Sequence, residues 1–311
     1  MARSRLSMGL VISTVNMKGG VGKTTLTVNL ATCLAKNHNK RVLVVDLDTQ
    51  ISGTLSLMQP QAFAKARKGR RTLSRLIDKV IKPSYRSRLT IEDIIQTDNC
   101  NIKGLDLLPG DIELYDEYVV SDLLHKQSIQ EGEVEFSKVW SRFESLLIKG
   151  ILEPIIPNYD FIILDCAPGY NLLTRSGIVA SDFYLLPARP EPLSIVGIQL
   201  LERRIARLKE SHQQDSPLNL QLLGIIFILS GGGLMGRYYK QVMRRVDNDF
   251  DSNQIFKIRI PMDVNVAKAV DSFSPVVIAH PNSAGSKAFF KLTEEFLLKL
   301  EGIKSMEQIR D

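Results

Sequence analysis

Eight consecutive residues, Lys18-Gly19-Gly20-Val21-Gly22-Lys23-Thr24-Thr25, restrict what this chain can become more than anything else in it. They follow an apolar run, Leu10 to Val15, and open a helix-forming run, Leu26 to Ala35. Strand, glycine-rich turn and helix start are the parts of a phosphate cradle. The glycines let the backbone fold tightly enough for successive N–H groups to point at anionic oxygens. The helix N-terminus adds orphan donors and the positive end of a dipole. Lys23 is spaced to reach the β- and γ-phosphates of a nucleotide, and the Thr24 hydroxyl to ligate Mg²⁺. The generic P-loop pattern has a glycine five residues before the Gly22-Lys23 pair. Met17 stands there instead, and Lys18 after it supplies a second lysine.

Two more apolar runs end in carboxylates. Arg41 to Leu47 reads as a buried strand in which Asp46 and, just beyond it, Asp48 alternate, so both project to one side. Tyr159 to Leu164 reads as another, ending at Asp165 and followed by Cys166-Ala167-Pro168-Gly169. An aspartate at a strand end is often only a helix cap; beside the glycine-rich turn, these three read as groups facing phosphates and metal.

Strands are expected at roughly 10–16, 41–47, 104–108, 159–164, 183–187, 222–229 and 255–260. Helices are expected to start near Thr24, Leu73, Val134, Leu172, Ser194, Tyr238 and Ser286. That alternation implies one α/β domain, a mostly parallel twisted sheet of about seven or eight strands with helices on both faces. Ligands of such sheets sit at strand C-termini, where the candidate residues fall.

The two-lysine loop resembles the deviant Walker A box of the ParA/MinD family of P-loop ATPases, in its ParA (Soj-like) partition branch. The resemblance covers about residues 9–300, with a basic insertion near 59–90 and a tail at 301–311. It implies that Lys18 to Thr25 cradle ATP and that Lys18 reaches across a dimer interface to the partner's nucleotide. Asp46-Leu47-Asp48-Thr49-Gln50 looks like the family's D-x-D-x-Q switch: by resemblance Asp48 positions the attacking water, and Asp46 supports the Mg²⁺ shell. Asp165 is similar to the Walker B carboxylate that holds Mg²⁺ through water, with Thr24 as a direct ligand. Ile258-Arg259-Ile260-Pro261-Met262-Asp263 resembles the I-P-R-N segment of the adenine pocket. Pro261 is expected to pack on the base, while Asp263, in place of the asparagine, has no amide hydrogens to donate.

Charge is unevenly spread over a chain of formal net charge +6. Residues 61–90 hold ten Lys/Arg against one acid, whereas 111–145 hold nine acids and three bases. Arg203, Arg204, Arg207 and Lys209 form one later cluster; Arg237, Lys240, Arg244 and Arg245 form another, at spacings that share one side of a helix. A basic face is commonly only a solvated one, yet repeated clusters suit phosphate neutralisation, which gives sequence-independent DNA affinity. ParA-like ATPases bind nucleoid DNA in this way as ATP dimers. The resemblance therefore implies a homodimer with ATP, non-specific DNA, a ParB-like or other adaptor protein, no membrane, and a cytoplasmic, nucleoid-associated place. The 237–245 cluster is the first choice for DNA, and 61–90 the second.

Other classes find less support. Cys33, Cys100 and Cys166 show no paired or metal-ligating spacing and read as buried reduced thiols. No apolar run approaches the roughly 20 residues of a membrane span. A MinD-like positioning ATPase would end in a basic amphipathic helix lying on lipid; here Phe289 to Leu300 reads as a core-packing helix, and the residues after it contain Glu301, Glu307 and Asp311 with few large apolar residues. A ParA-like ATPase that positions a protein cargo such as carboxysomes would use the same ATP chemistry and DNA surface, and stays open.

Overall fold

The computed structural model describes residues 9–82, 88–132, 135–213, 217–230, 246 and 249–310. The cluster Arg237, Lys240, Arg244 and Arg245, and the helix expected from Tyr238, lie outside the described residues. The sheet has seven strands: β1 (Leu10–Thr14), β2 (Val42–Asp46), β3 (Leu105–Leu108), β4 (Phe161–Asp165), β5 (Phe183–Ala188), β6 (Gln221–Ser230) and β7 (Ile260–Pro261). All pair in parallel, in the order β3-β2-β4-β1-β5-β6-β7.

The strands are apolar on both faces because both faces are covered. On one, Val11, Leu43, Ile162, Leu186 and Phe227 pack with α4 (Leu73–Ile81), α6 (Phe136–Leu152), α7 (Leu172–Val179) and α8 (Pro192–His212). On the other, Ile12, Val44, Ile163, Leu185 and Ile228 meet α1 (Lys23–His38), α2 (Ser52–Leu57) and α11 (Ala284–Arg310). Phe296 of α11 meets Phe161 of β4 edge-on, ring centroids 5.6 Å apart. The remaining described α-helices are α3 (Pro60–Lys68), α5 (Glu117–Glu131), α9 (Val264–Asp271) and α10 (Val276–Ala279).

Three expectations need adjustment. The strand foreseen at 255–260 narrows to Ile260–Pro261, with one isolated bridge from Ile255 to Ile225. Helix α11 runs on through Arg310, so most of the tail is helical. Cys100 is only half-buried, unlike Cys33 and Cys166. Within the basic segment, residues 60–82 form α3 and α4, which bury Phe63, Ala66, Leu73, Leu76, Ile77 and Ile81 against the core.

Candidate nucleotide site

The strand order brings the carboxylates and the lysine loop together. Asp46 ends β2, Asp165 ends β4 and Thr14 ends β1, and in the sheet register Asp46 lies beside Asp165, which lies beside Thr14. The chain leaves β1 straight into the loop 15–22 and enters α1 at Lys23. Two ties shape that loop: Asn16 donates its amide to the Pro187 carbonyl (2.8 Å) and accepts from Lys18 N (2.9 Å). A third joins it to the loop after β4, where Gly169 N donates to the Met17 carbonyl (3.1 Å).

Gly22 precedes α1 with φ 93°, a left-handed conformation, and a Cβ there would lie 3.0 Å from two side-chain atoms of Ile228. Both conformation and space call for glycine. The backbone of Gly19 and Gly20 is exposed to incoming anionic oxygens.

The two lysines are in different surroundings. Lys23 is buried and donates to the Lys18 carbonyl (3.1 Å), folding its ammonium back into the loop. Burial pushes it below the usual lysine value, against the pull of neighbouring charges led by Asp165. Lys18 is exposed and points to Glu191, the residue before α8, at 2.9 Å. Glu191 in turn has Arg189 at 3.9 Å.

Asp46 and Asp165 are both buried beneath this loop. Asp46 is held on both oxygens: Oδ2 accepts from Thr54 N (2.7 Å) and Thr54 Oγ1 (2.8 Å), and Oδ1 from Asp48 N (3.2 Å). Asp165 is held less, since its Oδ2 has no hydrogen-bond partner among the described residues. Burial, then repulsion from Asp46, pushes the Asp165 carboxyl well above the ordinary range, while the Thr24 hydroxyl and Lys23 act against this. Burial also raises Asp46, and the Thr54 and Asp48 bonds oppose it. Two buried carboxylates side by side with one oxygen unpaired make a site in want of a cation.

Gly53 completes this space: a Cβ there would stand 2.9 Å from Asp165 Oδ2 and 3.2 Å from Asp46 Oδ2. Among the described residues no group of three His, Cys, Asp or Glu forms a metal cage of protein ligands alone. A hydroxyl and one or two carboxylates, completed by phosphate and water, are instead what Mg²⁺ takes in nucleotide sites. The residues present therefore fit a nucleoside triphosphate with Mg²⁺, with Thr24 and Asp165 as the metal's oxygen donors and Asp46 behind them.

A cavity of about 700 Å³ runs from this cradle to a mostly apolar end. Gly20, Lys23, Thr24, Thr25, Asp48 and Pro168 line its phosphate end; Val28, Met262, Val266, Pro275 and Val276 line the other. Met262 and Asp263 are lining residues, whereas Pro261, in β7, is not. Asp263 is already occupied. Its Oδ1 accepts from Asn265 N and Nδ2 (both 2.9 Å) and its Oδ2 from Gly285 N (2.8 Å), so it fastens the start of α9 to the start of α11.

A family model described as an AAA domain matches residues 9–219, about two thirds of the chain. The chain belongs to this family, in its ParA/MinD group of P-loop ATPases. A curated relative, the sporulation initiation inhibitor protein Soj of Bacillus subtilis, is 29% identical over 288 residues, covering 93% of this chain and 98% of Soj. Among solved structures, a putative plasmid partition protein of Borrelia burgdorferi bound to AMPPNP superposes with a TM-score of 0.66 at 18% identity, covering 94% of this chain and 99% of that one. The septum site-determining protein MinD of Pyrococcus horikoshii, complexed with Mg-ADP, gives 0.62 at 24%, covering 96% and 99%. The ligands named for these two neighbours, AMPPNP and Mg-ADP, are of the class that the residues of this cradle fit.

Sequence reasoning placed Lys18, Gly19 to Thr25, Asp46, Asp48 and Asp165 around one site, and the structure brings them there. It missed Thr54, which holds Asp46, Gly53, whose missing side chain leaves room beside both carboxylates, and Glu191, which holds Lys18. No motif announces these three; only the folded proximity of α2 and α8 to the strand ends does.

Proposed function

We propose that this chain is a Mg²⁺-dependent ATPase of the ParA kind. It dimerises face to face on ATP, binds DNA without sequence preference, and releases both when a ParB-like or other adaptor stimulates slow hydrolysis. Plasmid or chromosome partition is the favoured task, and the likeness to Soj and to the Borrelia partition protein supports it. The same cycle would serve a protein cargo.

One observation carries the reading: the two lysines divide inside from outside. Lys23 is buried within its own cradle, whereas Lys18, five residues earlier, stands at the rim with its ammonium directed to Glu191. A lysine at the rim serves a phosphate presented from a second subunit better than one in its own site. When bound, Mg²⁺·ATP supplies the γ-phosphoryl group and the charge that opposes the buried carboxylates. Lys23 and the loop N–H groups would hold phosphate oxygens, Asp165 and Thr24 would hold the metal, and Asp46 would support its shell. Asp48 orients the attacking water, and Lys18 exchanges Glu191 for the partner's triphosphate. Among the described residues no helix is long and apolar enough to cross a membrane; the nucleoid is the proposed location.

The lysine variants test this. Lys23→Ala is expected to weaken binding of a fluorescent ATP analogue itself. Lys18→Ala is expected to bind that analogue as the parent does, yet stay monomeric in ATP by light scattering. An ATP-dependent Lys18→Ala dimer with ordinary turnover would remove the sandwich from the proposal.

A further inference from the structure

Helices α3 and α4 have an apolar inner side and a cationic outer one. Lys65 and Lys68 lie one turn apart on α3, Arg70 and Arg71 lie in the turn after it, and all four are exposed. Among the described residues none has a carboxylate within salt-bridge distance, and Asp93 feels the charge of Arg71 only from farther away. Arg67 is turned elsewhere, to Asp111 at 3.1 Å and Glu113 at 3.6 Å. Cations at a helix C-terminus answer its dipole, which accounts for Lys65 and Lys68. It does not account for the turn.

That turn contains a second, independent signal. Arg70 has φ 55°, the left-handed region that penalises a residue carrying a Cβ. The glycine beside it, Gly69, has an ordinary φ of −77°. Arg70 N donates to the Arg67 carbonyl (2.9 Å) and Arg71 N to the Ala66 carbonyl (2.8 Å), a helix ending that ordinarily puts glycine in the left-handed position. The chain accepts local strain and keeps a long cationic side chain at the tip. Strain retained at an exposed position points to use of that side chain.

The same surface is linked to the nucleotide site. Helix α2, which holds Asp46 through Thr54 and leaves room for Asp165 at Gly53, ends one residue and a cap before α3 begins. A groove of about 1040 Å³, with Lys68 and Arg70 on its lining and the acids Asp78, Asp111, Glu113 and Asp116 among its other residues, also reaches Thr49, next to Asp48.

We propose that Lys65, Lys68, Arg70 and Arg71 form a surface for the phosphate backbone of duplex DNA, additional to the 237–245 cluster, and that α2 couples its presentation to the bound nucleotide. This rests on the DNA reading given above. Duplex DNA is the favoured polyanion because residues 59–82 expose no large apolar side chain to enter a lipid surface. Nor do they offer an aromatic ring on which a single-stranded base could stack, since Phe63 is buried.

The test is fluorescence anisotropy with a labelled random duplex of about 40 base pairs, in Mg-ATP, across about 50–200 mM salt. The variant Lys65→Ala/Lys68→Ala/Arg70→Ala/Arg71→Ala is expected to bind ATP as the parent does. It should lose at least about tenfold in DNA affinity at the lowest salt, and its salt slope should fall by about three to four, near 0.9 per phosphate contact. Arg70→Gly alone is expected to move two readouts in opposite directions, raising the thermal midpoint while weakening DNA binding about two- to threefold. An unchanged slope in the quadruple variant overturns the surface. If Arg244→Glu/Arg245→Glu then abolishes binding, the DNA reading survives without it. A parent chain that binds no duplex at any salt overturns both. Loss of binding to anionic-lipid vesicles with DNA binding intact would also overturn the assignment.

Discussion

Replacing Thr54 by valine should expose how firmly the buried carboxylates are held. Thr54 is fully buried, and its Oγ1 has two bonds: it donates to Asp46 Oδ2 at 2.8 Å and accepts from Gly110 N at 2.9 Å. Valine keeps the shape and loses both. A hydrogen bond to a charged group is worth about 1.5–3 kcal/mol, and a buried N–H left without an acceptor costs about 1–3 kcal/mol. Asp46 retains the donors Thr54 N and Asp48 N, and the added methyl recovers up to about 1 kcal/mol of apolar burial. The net expectation is a loss of about 3 kcal/mol, or about 5 °C in thermal midpoint for a chain of this size. Thr54→Ser keeps both bonds, removes one methyl, and should cost only about 1 kcal/mol. Urea titrations of the two variants supply the comparison, and titrations with a fluorescent ATP analogue, with and without Mg²⁺, should show valine reducing the Mg²⁺-dependent gain. If serine proves as costly as valine, the site is held by packing, and the hydrogen-bond reasoning fails.

Two further substitutions probe the cradle and the switch. Asp48→Ala is expected to bind ATP and dimerise but to hydrolyse about 10²–10⁴-fold more slowly, read as phosphate release; undiminished turnover would take the water-positioning role from this residue. Gly22→Ala meets a left-handed φ and a 3.0 Å approach to Ile228 at once, so about 1–3 kcal/mol of stability and most ATP affinity should be lost, and wild-type values in calorimetry would contradict the described loop.

Much of the sheet and its site is legible in the sequence because local pattern and function coincide there. Strands buried on both faces appear as unbroken apolar runs, and Asp46 and Asp165 mark where two of them end. The glycine-rich loop is readable because its backbone conformation restricts residue type. By contrast, β7 makes only two residues of ladder, and nothing local distinguishes Ile260–Pro261 from its extended neighbours. Glu191 and Thr54 act through contacts 173 and eight residues away, each made to a residue of a different segment of the chain, so no single helix or strand period encodes them. Asp263 teaches the opposite lesson: its carboxylate looked like a poor reader of the base, and the structure gives it other work, tying two helix starts together.

The position of β1 in the sheet also governs when this protein can become active during its own synthesis. β1 emerges from the ribosome well before its neighbours β4 and β5, whose paired residues Phe161 and Phe183 come some 150 and 170 residues later. At about 5–20 residues per second, the strand that carries the nucleotide loop waits roughly ten seconds or more with both edges open. During that interval its apolar side chains have no sheet to enter, so the nascent chain is a natural client for chaperones. The delay also has a chemical consequence: a chain that stops short of β4 carries the lysines but not Asp165, so a ribosome-bound fragment of that length has no finished site.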